Sequence, residues 1–200
     1  MLVQREIGGR LPDSAYTGHA WRVKDVARDF ALEDVWELPG EGQPGDFPRL
    51  VELVTGMDPA TGSWSPTRLL WAVRWKLGAL LGWDDEDKGL GGRIGSLKAR
   101  LPEDLRHTAP PEFDALPFTS LYLTDDEFAA EIANKTMHGV MHLGWVPAGP
   151  GSDAYRAQMA VLVKPNGLTG KAYMAAIRPF RHLIVYPALM RQGRALWSRV

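Results

Sequence analysis

The chain contains no cysteine. No disulfide framework can hold it, and no thiolate can serve as nucleophile or metal ligand. A basic excess is also missing: 23 lysines and arginines stand against 24 acidic side chains, a formal net charge of -1. Nucleic-acid surfaces ordinarily show a basic excess or stripe, so no nucleic-acid partner is expected. The arginines that thicken toward the end, Arg178, Arg181, Arg191, Arg194 and Arg199, read as a solvated helix face. No apolar run approaches the roughly 20 residues that span a bilayer. The longest, around Leu69 to Trp83, is broken by Arg74 and Lys76. MLVQREIGGRLPDS has no apolar core of signal-peptide length. A cytoplasmic protein with no membrane span is the expectation. Serine is sparse and no G-x-S-x-G elbow occurs, which leaves nucleophilic catalysis little support. GLGGRIG fails the spacing of a phosphate-binding fingerprint.

What is present suits a packed domain. Two hundred residues with 45% apolar content can bury a substantial core. Residues 1–18, rich in glycine, proline and polar groups, read as an N-terminal arm or cover, and residues 19–200 as one domain. ALEDVWEL (31–38) reads as a first strand, with Leu32, Trp36 and Leu38 on one face and Asp34 as the exception. GEGQPGD (40–46) is a loop by composition. FPRLVELVTG is a short helix with Pro48 in its first turn, a stripe of Phe47, Leu50, Leu53 and Val54, and Gly56 as its stop. Ser65-Pro66 starts a second helix whose stripe is Leu69, Val73, Leu77 and Leu80, with Lys76 by angle inside it and Trp71 and Trp75 on another side. GRIGSLKARL could supply a weak edge strand, and FTSLYLT (118–124) a better one. DDEFAAEIAN (125–134) is ambiguous, a helix by propensity but a strand by alternation, with the strand favoured, and TMHGVMHLGWV (136–146) alternates more clearly as a strand.

The last quarter is the most informative. In YRAQMAVLVK, Tyr155, Ala157, Met159, Val161 and Val163 share a face, as a half-buried antiparallel strand requires. After Pro165-Asn166-Gly167 the period changes, and Tyr173, Ile177, Phe180 and Ile184 form one helical stripe. Pro179 and Pro187 should bend or break that helix. Residues 136–146 and 154–164 should pair as a hairpin through PAGPGS, with Met141, Leu143, Trp145, Met159 and Val161 on one face.

Glu131, His138 and His142 could share a helix face, and the two histidines would also be co-facial on a strand. A two-His-one-carboxylate metal site is geometrically conceivable. H-x-x-x-H without the zincin glutamate carries no accompanying mechanism, so sheet-face histidines bonded to neighbours are the plainer account, and neither metal nor cofactor is assigned. Any of the three could do acid–base work if it lined a pocket. The acidic run Asp84 to Asp87 reads as a solvated loop.

LVKPNGLTGKAYMAAIRPFRHLIVYPALM resembles the C-terminal signature of a bacterial family, domain-of-unknown-function family 2867. There a strand passes through an Asn-Gly turn into G-x-x-Y and a P-F-[RH]-x-L-I-V helix. The matching positions are Asn166, Gly167, Gly170, Tyr173, Pro179, Phe180, Arg181, Leu183, Ile184 and Val185. FALEDVWELP and LLWAVRWKLGALLGW look similar to the same family, so the likeness covers about residues 20–192. The family pattern is similar to the START-like (SRPBCC) helix-grip superfamily. That resemblance implies an α+β fold, a curved antiparallel sheet around a long C-terminal helix, with an apolar cavity between them. It carries no catalytic set.

Three functions follow as expectations. The first is binding of a small apolar or amphipathic molecule by Trp36, Met141, Trp145, Met159, Tyr173 and Phe180, with Arg181 at the cavity mouth for an anionic end. The second is a cyclase, dehydratase or isomerase using His or Glu as acid–base groups in that cavity. The third is a non-catalytic partner of a separate oxidoreductase, docking through Trp71 and Trp75. A homodimer is compatible with any of them.

Overall fold

The computed structural model describes residues 9–58 and 94–168, together with residues 170, 174 and 175. Its frame is a curved five-stranded antiparallel sheet in an α+β arrangement. The strands are β1 (Ala31–Gly42), β2 (Thr119–Leu123), β3 (Glu127–Ala133), β4 (Met137–Pro147) and β5 (Tyr155–Pro165). The order across the sheet is β1-β5-β4-β3-β2, so β2 to β5 form a meander and the first strand closes against the last. Short helices α1 (Ser14–Thr17) and α2 (Val23–Val26) precede β1, and α3 (Phe47–Thr55) follows it.

Register is set by local chemistry at the turns. Asn134 accepts at Oδ1 from the Thr136 amide, the Thr136 hydroxyl and the Met137 amide, which closes the β3–β4 turn and pairs Ala133 with His138. β4 and β5 pair from Met137–Pro165 to Pro147–Tyr155, the hairpin that the alternation predicts. DDEFAAEIAN is a strand, because its alternate residues find a covered face on each side of the sheet.

Each strand has two faces, and both are covered. One, the tryptophan face, carries Trp36, Phe128, Ala130, Leu143, Trp145, Ala157 and Met159, with α3 laid over it through Phe47, Leu50 and Val51. The other, the histidine face, carries Val35, Tyr122, Ala129, Val140, Ala160 and Leu162 beneath Tyr16, Trp21, Val23, Val26, Leu97, Leu101 and Leu105. Rows cross the whole sheet: Trp36–Met159–Leu143–Phe128–Leu123 on one face, Val35–Ala160–His142–Ala129–Tyr122 on the other.

Three local expectations are corrected. Leu32 does not share a face with Trp36, because a register shift between Leu32 and Asp34 turns the strand over and sends Leu32 to Leu162. Residues 40–42 belong to β1, with Gly40 at φ 113°, a conformation open to glycine. The segment read as a weak edge strand holds a 3-10 turn, Leu97–Arg100, capped by Ser96 Oγ on the Lys98 amide. α3 starts and stops as expected, although Val51 rather than Leu53 completes its buried stripe. The second helix of the sequence, its Trp71, Trp75 and Lys76, the Asp84–Asp87 run, and Tyr173, Phe180 and Arg181 lie outside the described residues.

After β5 the Pro165-Asn166-Gly167 turn folds against the β3–β4 turn. Asn166 donates from its amide to Thr136 O and from Nδ2 to Asn134 O. Gly167 takes φ 69°, and helical backbone is present at Gly170, Met174 and Ala175. A Cβ at Gly170 would lie 2.1 Å from Thr136 O, a backbone atom that cannot swing aside. Gly170→Ala should therefore lower stability by about 1–3 kcal/mol. Urea denaturation measures this, and an unchanged midpoint would show that the two turns are not pressed together.

Candidate functional site

Two glutamates and two histidines occupy the histidine face of β3 and β4. Alternation puts Glu127 and Glu131 on one side of β3, and His138 and His142 on the same side of β4. The ladder places each glutamate two residues diagonally from its histidine. Glu131 Oε2 lies 2.8 Å from His138 Nε2, and Glu127 Oε1 lies 3.1 Å from His142 Nε2. The first contact is an aligned hydrogen bond; the second is close but off the hydrogen-bonding direction. All four side chains are buried.

The glutamates also clip the cover to the sheet. Glu127 accepts from the Arg22 and Val23 amides at 2.8 Å each, where α2 begins, and from the Tyr122 hydroxyl at 2.7 Å. Glu131 accepts from the Leu97 amide at 3.0 Å and from the Ser96 hydroxyl, where the 3-10 turn begins. Burial alone would raise both carboxyls. For Glu127, His142, the Tyr122 hydroxyl and the Val23 amide outweigh it and hold the group below the usual carboxylate range. For Glu131 the same is done by His138, Ser96 and the Leu97 amide. Burial and the nearby Glu127 charge push the Tyr16 and Tyr122 hydroxyls well above their ordinary range, so both stay protonated donors.

Above Glu127, His142 sits in an aromatic cup. The Tyr16 ring meets it edge-on at 5.5 Å and the Trp21 ring lies 5.0 Å away. Trp21 rests on Gly144, where a Cβ would come within 2.6 Å of the indole. Tyr16 Oη, Trp21 Nε1, both His142 ring nitrogens and Gln158 Nε2 are buried without an aligned hydrogen bond among the described residues. Such a group costs about 1–3 kcal/mol, and native interiors leave few of them.

Four of the residues expected to bind a ligand are on the other face. Trp36, Trp145 and Met159 are buried there, and Met141 is partly buried in the same cluster. Trp145 stacks on Tyr155 and meets Phe47, while its Nε1 donates to Gln43 O at 3.1 Å, so α3 closes that end. Glu131, His138 and His142 are divided between two Glu–His pairs, and the described residues contain no group of three side chains disposed to hold a metal. Sequence reasoning missed Glu127, Tyr122, Tyr16, Trp21 and Gln158. Glu127 had a signal: it is four residues before Glu131 on an alternating strand, as His138 is before His142. Tyr16 and Trp21 had none, since nothing local says that an N-terminal arm folds back over a sheet.

With this geometry in hand, the comparison with known families is direct. A family model described as a protein of unknown function, DUF2867, matches residues 26–188. The chain belongs to this family. No curated protein and no solved structure matches it. The matched range of DUF2867 begins inside α2, so Tyr16 and Trp21 precede it while Glu127, Glu131, His138 and His142 fall within it. No helix among the described residues is long and apolar enough to cross a membrane.

The carboxylate shifts set a direction with pH. Both glutamates have folded values below the unfolded one, so the stability they contribute is complete above about pH 4.3 and is lost as pH falls through the lower folded values. Glu131→Gln removes one share of that dependence. Its stability should drop by about 2 kcal/mol at neutral pH, and its loss of stability in acid should be shallower than that of the wild type. Urea midpoints from pH 7 to pH 3 measure both, and parallel curves would remove Glu131 from the acid response.

Proposed function

We propose that the domain is a START-like binding module that takes up a small apolar or amphipathic molecule between the tryptophan face and the C-terminal helix. One observation carries this reading. Met141 and Val161 face each other across the neighbouring strands β4 and β5, inside the sheet, yet both are only partly covered. Leu143, Phe128 and Ala130 around them are fully buried. An interior position of a covered sheet that keeps apolar surface accessible has space above it. Ile132 and Met137 extend the partly covered strip toward the β3–β4 turn. Methionine suits such a site because its unbranched, polarisable side chain adapts to varied apolar shapes. Binding there would rest on apolar burial, about 25 cal/mol per Å² before the costs of association. Arg181 would favour a ligand with one anionic end.

A second reading, a cyclase, dehydratase or isomerase, needs an acid–base group in the same space. His138, His142 and Glu131 lie across the sheet from it. The observation that favours this reading is Asp34 of β1, which is fully buried, is paired with Val161 of β5 and shares the face of Trp36. Arg10 Nε stands 3.6 Å from its Oδ1.

The test is binding of 1-anilinonaphthalene-8-sulfonate, an apolar probe with one anionic group, by the folded protein. Met141→Trp should reduce its affinity at least tenfold while the cooperative unfolding transition is retained. Arg181→Ala should weaken the anionic probe more than the neutral N-phenyl-1-naphthylamine. Unchanged affinity in Met141→Trp would remove the site from the tryptophan face.

A further inference from the structure

The polar atoms around His142 do not satisfy one another, although the residues that carry them are neighbours. Tyr16, Trp21, His142 and Gln158 come from α1, the segment before α2, β4 and β5, and each is more than nine-tenths buried. Tyr16 and Trp21 both abut the imidazole, and Trp21 lies over Gly144, whose cross-strand partner is Gln158. Tyr16 Oη, Trp21 Nε1, His142 Nδ1 and Gln158 Nε2 lack a partner among the described residues.

We infer that these four residues form an internal binding site for a hydroxyl group, separate from the apolar face. The donor and acceptor inventory selects the guest. His142 Nε2 lies 3.1 Å from Glu127 Oε1 without an aligned bond, and beside a carboxylate a proton is favoured there over a lone pair, which leaves Nδ1 as an acceptor. Trp21 Nε1 and Gln158 Nε2 can only donate, whereas Tyr16 Oη can do either. A single small guest shared by these neighbours must therefore accept at least two hydrogen bonds and donate one. A hydroxyl oxygen does this. A carbonyl cannot donate, and an ammonium cannot accept. A carboxylate or phosphate would bury a second negative charge beside Glu127. The hydroxyl can belong to a water molecule or to a small alcohol, and the two share this chemistry. Glu127 is then a positioning residue: it sets the tautomer of His142, and through the Arg22 and Val23 amides it seats the cover that carries Tyr16 and Trp21.

NMR on the full-length 15N-labelled protein tests the site. His142 should be the Nε2–H tautomer, with Nδ1 displaced from the shift of an unbonded acceptor. A rotating-frame Overhauser contact from the Trp21 indole proton to water identifies a bound water molecule. A stoichiometric hydroxyl compound in the mass spectrum of the denatured protein identifies an alcohol. Neither signal, with Nδ1 at its unbonded shift, overturns the inference. Tyr16→Phe supplies an independent sign: removing a hydroxyl bonded to a guest should lower Tm by about 2–4 °C. Removal of an unbonded one would leave Tm unchanged or raise it, and that result would overturn the place of Tyr16 in the site.

Discussion

Burial of Glu127 on the histidine face is the condition that the rest of that face has to meet. An ionised carboxylate away from water must be surrounded by donors, and here they come from three directions. The Arg22 and Val23 amides arrive from the cover, the Tyr122 hydroxyl from β2 and His142 from β4. The same requirement is repeated four residues along β3, where Glu131 takes the Leu97 amide, Ser96 and His138. Each carboxylate thereby uses otherwise unmatched amides at the start of a helical turn, and two segments distant in sequence are fastened to one strand. Without them, apolar contacts of Val23, Val26, Leu97 and Leu101 would hold the cover in place but not in register.

The two faces divide the chemistry of the domain. The tryptophan face is apolar apart from Asp34, closed at one end by Phe47 and Trp145 and partly open over Met141 and Val161. The histidine face is polar at its centre and closed there. A sheet separates the two by the thickness of one backbone layer, and its alternation forbids a residue of β3 or β4 from serving both. The buried glutamates and histidines of β3 and β4 and the apolar side chains beside them in the sequence are for that reason on opposite sides.

Much of the sheet was legible because period-two alternation is a direct imprint of burial. The strand of Tyr155 to Lys164, its hairpin with β4 and the common face of Met141, Leu143, Trp145, Met159 and Val161 could all be read from spacing. The face of Leu32 could not, because a bulge inverts the alternation and leaves no mark in composition. Nor could the continuation of β1 through Gly40 and Gly42, where glycine content argues for a loop but pairing with Arg156 and Tyr155 decides for a strand.

By itself the sequence determined the strands, one hairpin followed by a Pro-Asn-Gly turn and the apolar character of one sheet face, while the α+β class and the family came from a resemblance of motifs. The strands and the apolar face follow from local propensity and periodicity, which act over a few residues and need no knowledge of partners. Only the tertiary structure decided that the histidines are paired with glutamates, that Glu127 rather than Glu131 faces His142, and that Tyr16 and Trp21 cover them. Those contacts join distant parts of the chain, as in the Arg22 amide to Glu127, 105 positions apart, and the still longer reach from Tyr16 to His142. Their cause is the cost of leaving a buried charge unmatched, and that cost exists only once the chain has brought the groups out of water together.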